Sequence, residues 1–195
     1  MRALVDNRIT ASGLYLRFMT KKGQIVEIPA SAPIYSRELP RFHSKKDELI
    51  WKSQKKEYSL FDGFLVGEHH GVENFKIGQR KGINVGGKKE PLYVIGIDEK
   101  ENRLFVGAGD SHPGLLTSVI RLGENLELND INFSKEELEY GIDVEVSNQV
   151  NKDELPAKLY GFDNSFFLEF ENRVSVTIKE HPFDIIYQNR IIKSY

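Results

Sequence analysis

The residues best suited to chemistry lie between Lys76 and Lys89, where five basic side chains (Lys76, Arg80, Lys81, Lys88 and Lys89) occur without a single acid. Gly78, Gly82, Gly86 and Gly87 are interleaved with them. Glycines let a backbone come close to a phosphate and expose its N–H donors, while Arg and Lys supply charge. Gln79 offers a donor and an acceptor to a base edge or a ribose hydroxyl. The chemistry implied is the binding of a phosphate-bearing polyanion. The competing reading of the same stretch is a Gly-rich hairpin whose lysines are merely solvated.

No other grouping amounts to a reaction centre. His69 and His70 stand beside Glu68, but His43, His112 and His181 are far away in sequence and no ligand spacing supports a metal. The pair therefore reads as turn histidines that hydrogen-bond backbone. His112-Pro113 reads as a loop. Glu136, Glu137 and Glu139 form a solvated acidic face with no partner for acid–base work. Phe42, Trp51 and Tyr58 lie near a lysine-rich segment, where aromatics at helical spacing are more often core than base-stacking. The chain has no Cys, which excludes disulfides, thiolate metal sites and a cysteine nucleophile. No catalytic residue, metal or cofactor is expected.

The elements that must position this loop are mostly strands. Gly13–Met19 and Gln24–Ile28, around a turn at Thr20–Gly23, predict a hairpin. Pro29, Pro33 and Pro40 then break regular structure. Residues 41–58 are the best helical candidate, with Ser44 as cap and Leu49, Ile50 and Trp51 as a short apolar face. Leu92–Ile97 and Arg103–Gly107 read as strands joined by the acidic turn 98–102. Further short alternating runs follow at 119–122, 142–146, 157–160, 166–170, 174–178, 183–187 and 190–192, the pattern of a sandwich or barrel. Ser134 predicts a short capped helical turn between two of them.

At 195 residues, with 39% hydrophobic and 29% charged, the chain has material for one large domain or two small ones. No apolar run approaches the roughly 18 residues that span a bilayer, and the N-terminus has no signal-like apolar region. A cytoplasmic protein without membrane association is expected. The net charge of −2 hides an asymmetry: residues 1–122 carry 20 basic against 14 acidic side chains, and residues 123–195 carry 7 against 15. The first part suits a polyanion better than the second.

The stretch DGFLVGEHHG followed by NFKIGQRKGINVGG resembles the central module of the bacterial tRNA-uridine 2-sulfurtransferases, or tRNA 2-thiouridylases. That family has a Gly-x-His-x-Gly turn, here Gly67, His69 or His70, and Gly71. It leads into a Tyr-Thr-Ile-Gly-Gln-Arg-Lys-Gly run, here Phe75–Gly82. Glu90–Gly96 and Leu104–Gly107 resemble the family's next two strands. The resemblance is specific over about residues 58–112 and continues weakly to the C-terminus. It implies a mainly β fold: a small mixed or β-rich central module at 58–112, then an antiparallel β-barrel of six or seven strands at 113–195. An unassigned hairpin-plus-helix segment at 1–57 precedes them.

The departures bear on function. The family's ATP-pyrophosphatase domain opens with a Ser-Gly-Gly-x-Asp-Ser loop, and this sequence contains neither that loop nor the two sulfur-handling cysteines. The family's Arg-Tyr-Arg barrel strand is replaced around Val144–Asn148, its Gly-Gln turn by Glu180-His181 and its terminal Gly-Gly-Gly by Ile191–Lys193. The resemblance therefore implies a non-catalytic tRNA-binding protein related to the thiouridylases and accessory to wobble-uridine thiolation, either free-standing or acting with a separate sulfurtransferase or ATP-pyrophosphatase subunit. Lys76, Arg80, Lys81, Lys88 and Lys89 would meet phosphates, Gln79 would make a polar contact, and Gly78 and Gly82 would permit close approach. The alternative is a protein-interaction module that kept the fold and lost the RNA, which the acidic second part favours.

Overall fold

The computed structural model describes residues 22–123, 126, 128, 129, 131–148 and 154–195. Its first sheet contains β1 (Lys22–Glu27), β2 (Phe64–His70), β3 (Leu92–Asp98) and β4 (Arg103–Ala108), in the order β2-β1-β4-β3. β1 runs antiparallel to β2 and parallel to β4. Its apolar run is buried on both faces. Ile25 packs with Ile83, Leu92, Val94, Leu104 and Val106, while Val26 packs with Ile28, Ile95, Phe105 and Leu115. The first half of the predicted hairpin, 13–19, lies outside the described residues. Its second half is β1, whose two edges are taken by β2 and β4.

Between β1 and β2 the chain makes a long excursion carrying α1 (Pro33–Ser36) and α2 (Lys45–Ser53). The helix expected over 41–58 is confined to 45–53. Ser44 Oγ accepts from the Asp47 N–H at 3.1 Å and fixes its start, and Gln54 leaves it in extended conformation. Its buried residue is Leu49, which packs with Val119, Tyr160 and Phe167 of the second sheet. Trp51, expected on the same face, is exposed and packs on Phe42 with ring centroids 5.7 Å apart. Two positions on from Leu49, it is rotated about 200° around the helix.

The second sheet holds β5 (Leu116–Gly123), β6 (Ile142–Asn148), β7 (Glu154–Phe162), β8 (Ser165–Ser175), β9 (Phe183–Tyr187) and β10 (Arg190–Ser194). Its order is β10-β9-β6-β7-β8-β5, antiparallel throughout. Alternation decides which way it faces. In β6, Ile142, Val144 and Val146 are buried while Asp143 and Glu145 point out. All six strands feed one core, including Ile120 from β5 at one end and Ile192 from β10 at the other. The sheet thus curls into a barrel-like wall. Asn129, after β5, donates its N–H to the Ile192 C=O at 2.9 Å, tying the two ends together. The predicted capped turn is α3 (Lys135–Tyr140), closed by a reciprocal Ser134–Glu137 capping box.

Candidate nucleic-acid interface

The basic stretch is an irregular loop laid across one face of the first sheet. Apolar residues anchor it: Phe75, Ile77, Ile83 and Val85 pack into the core around Ile25 and Val94. The basic residues between them are left on the outside. Backbone bonds clip its start to the outer edge of β3. The Gly78 N–H donates to the Val94 C=O at 2.8 Å, and the Gln79 C=O accepts from the Val94 N–H at 2.9 Å.

Gly78 has φ +80°, and a Cβ there would lie 3.1 Å from Thr177 Cγ2 beyond β8. Gly78→Ala is therefore expected to cost about 1–2 kcal/mol from the left-handed backbone alone, read as a lowered denaturant midpoint. An unchanged midpoint would contradict this conformation.

The structure separates the predicted phosphate ligands into two sets. Lys76, Arg80, Lys81 and Lys89 are exposed, and among the described residues none of them has an acidic partner. Lys88 instead forms an ion pair with Glu27 at the end of β1. Gln79 is also occupied. Its Oε1 accepts from the Lys76 N–H at 3.0 Å and its Nε2 donates to the Lys81 C=O at 2.8 Å, so the amide braces the loop. Gly82 (φ +87°) lies at the exposed turn, and no atom comes within 4 Å of a Cβ built on Gly86 or Gly87.

Two further cations escape a sequence reading. Lys56 places its Nζ 6.0 Å from the Tyr35 ring centroid. Burial and the nearby Arg173 guanidinium push its pKa down, a like-charge pairing of groups far apart in sequence. The lysines of α2 have the opposite fate. Lys45 and Lys52 both reach Glu48 and Glu169, and Lys46 reaches Asp163 at 2.7 Å.

The histidines differ from expectation. His69 belongs to β2 and is 3% exposed, and neither of its ring nitrogens has a hydrogen-bond partner among the described residues. Its ring meets Phe75 edge-on at 5.6 Å. It lines the core under the loop instead of bonding backbone, because the strand continues through the predicted turn. His112 is no bare loop residue either. Its Nδ1 accepts from the Gly114 N–H at 3.1 Å and its Nε2 lies 3.0 Å from the Ile28 C=O. Tyr58 joins Tyr35 and Phe105 in the core. Among the described residues no group of three or more His, Asp or Glu is placed to hold a metal, and no helix is long and apolar enough to cross a membrane.

The fold and the loop define a β-rich module carrying a basic loop, and the family described as tRNA methyl transferase PRC-barrel domain matches residues 48–108 of it. Over nine tenths of its length the chain is related to the C-terminal part of the tRNA-specific 2-thiouridylases. It is 34% identical over 180 residues to tRNA-specific 2-thiouridylase MnmA of Christiangramia forsetii, covering 90% of this chain and 44% of the relative. The protein of the same name from Flavobacterium johnsoniae is 32% identical over 186 residues, covering 93% and 46%. That from Karelsulcia muelleri is 38% identical over 151 residues, covering 77% and 37%. The chain thus spans less than half the length of these relatives.

Proposed function

We propose that this chain is a tRNA-holding module, accessory to wobble-uridine thiolation and working with a separate sulfurtransferase or ATP-pyrophosphatase unit. The observation that carries the reading is the set of exposed, acid-free cations Lys76, Arg80, Lys81 and Lys89 on a loop braced by Gln79 and clipped to β3. Such groups are strongly hydrated and mutually repulsive in the free protein. A phosphate backbone relieves the repulsion and releases its own counterions. The loop contributes binding and placement, and the chemistry of thiolation lies with the partner unit. The relatives' name, tRNA-specific 2-thiouridylase, supports tRNA as the polyanion.

The reading is tested by binding of bulk tRNA at two salt concentrations. Native protein is expected to bind with a log–log salt slope of about −0.7 to −0.9 for each phosphate contacted. Arg80→Ala/Lys81→Ala is expected to flatten that slope by roughly 1.4–1.8 and to weaken binding about tenfold or more at low salt. Absence of binding, or indifference to the double substitution, overturns it.

One observation favours the second reading, a protein-interaction module. The outer face of the second sheet forms a groove lined by Asp143, Glu145, Glu169 and Glu171 together with Lys52 and Lys158. Lys158 pairs with Asp143 and Lys52 with Glu169, and the two further glutamates leave a net negative lining that disfavours a phosphate backbone. Under that reading tRNA binding is absent.

A further inference from the structure

The loop does not stay at the β3 edge. It crosses the sheet to the opposite side, where Val85 Cγ2 would lie 3.2 Å from a Cβ on Gly67 of β2 and Lys88 reaches Glu27 of β1. Glu27 is the register partner of Phe64, so Phe64 stands on the same face as the loop. Four strands at about 4.8 Å spacing put roughly 14 Å between the two ends of this path, the span of a few nucleotides.

At the β2 end two aromatic side chains face solvent: Phe64 is 68% exposed and Phe61 is 99% exposed. Phe61 does not sit on a loose segment. Ser59 and Asp62 close a capping box around its turn, with the Ser59 N–H donating to Asp62 Oδ2 at 2.7 Å and the Phe61 N–H donating to Ser59 Oγ at 3.3 Å. A rigid turn that leaves a phenyl ring wholly in water gains nothing from it in the fold. The neighbouring backbone at Gly86 and Gly87 is open, and Lys89 is exposed beside it. Cations that track a backbone, followed by exposed aromatic faces, are the two components of a single-strand binding surface.

We infer that Phe61 and Phe64 form a stacking platform for unpaired bases of an RNA strand whose phosphates lie along the 76–89 loop. This rests on the RNA-binding reading and adds to it the class of ligand, single-stranded and not duplex, and the end of the loop at which bases are held.

Two labelled probes separate stacking from charge: an oligoadenylate of about ten nucleotides and an abasic oligomer of the same length and charge. Native protein is expected to prefer the oligoadenylate by about tenfold or more. Phe61→Ala/Phe64→Ala should lose that preference while keeping the native salt slope and, since both rings are exposed, the native melting temperature. Arg80→Ala/Lys81→Ala should weaken both probes and keep the preference. Equal binding of the two probes by native protein, or an undiminished preference in the phenylalanine variant, overturns the platform and leaves the RNA-binding reading standing. Failure of native protein to bind either probe or tRNA overturns both. Sedimentation of native protein as a dimer that the phenylalanine variant dissolves would instead make the patch a self-contact, and also overturns the platform.

Discussion

Leu49→Ala is expected to lower the free energy of unfolding by about 2–5 kcal/mol, as for other fully buried leucines. Leu49 is 0% exposed and sits among Val119, Tyr160 and Phe167, which come from three different strands of the second sheet. Those strands are held in register by their own ladders, so the site cannot collapse onto a shortened side chain, and the cavity persists. The helix around Leu49 is fixed as well. Lys45 and Lys52 both contact Glu169 on β8, at 2.7 and 3.2 Å, and Glu48 between them at 3.2 and 2.5 Å. These half-buried pairs keep α2 in place but contribute little compared with the apolar contact. Glu169→Gln should therefore cost well under half of what Leu49→Ala does. Urea titration followed by tyrosine and tryptophan fluorescence measures both. A loss below about 1 kcal/mol for Leu49→Ala would mean that α2 is not docked as described.

Stability is also expected to fall as the pH drops below about 6.5, because of His112. The ring is 2% exposed, and burial is the main cause that lowers its pKa, against smaller opposing effects of the Ile28 carbonyl and the Glu27 carboxylate. Nδ1 accepts a hydrogen bond from Gly114, so the neutral ring must carry its proton on Nε2, where it donates to Ile28. A second proton on Nδ1 would face the Gly114 N–H. Above the ordinary imidazole value both folded and unfolded chains hold the ring neutral, and no penalty exists. Below it the unfolded chain takes up a proton that the folded chain refuses, so unfolding gains up to about 1.4 kcal/mol per pH unit until the folded value is reached. The cleanest window is pH 6.5 to 5, above the range in which Glu48, whose pKa is lowered chiefly by Lys52, begins to protonate. Melting curves of native protein and His112→Gln across that window decide the matter. The variant should be less stable at pH 7, having lost a cap, but should show a flatter pH dependence. Parallel curves would remove His112 as the cause.

Several features of this fold are plain in the residue pattern, and the rest fail for identifiable reasons. The strands of the second sheet are legible because one face is wet, so Ile142, Val144 and Val146 alternate with Asp143 and Glu145. β1 is legible as a strand but not as an inner one. Its parallel neighbour β4 pairs Gln24 with Arg103, a partner no local pattern announces. The cations of the loop are visible as composition. What becomes of them is not, since Lys88 is drawn to Glu27, far back in the chain, and the amide of Gln79 is consumed by its own turn. His112 was hidden by its setting. His-Pro beside glycines looks like any loop, and only the fold brings the Ile28 carbonyl to its ring. Nothing in the spacing of Phe61 and Phe64 shows that a capping box leaves one of them in open solvent.

The excursion that leaves the first sheet after β1 and returns at β2 deposits α2 on the second sheet, with Leu49 in a core otherwise built from β5, β7 and β8. The second sheet therefore holds a helix that belongs, by sequence order, to the first. Recombination that transplanted the second sheet alone would strip Val119 and Phe167 of their cover, and a transplant of the first alone would carry a helix with nothing beneath it.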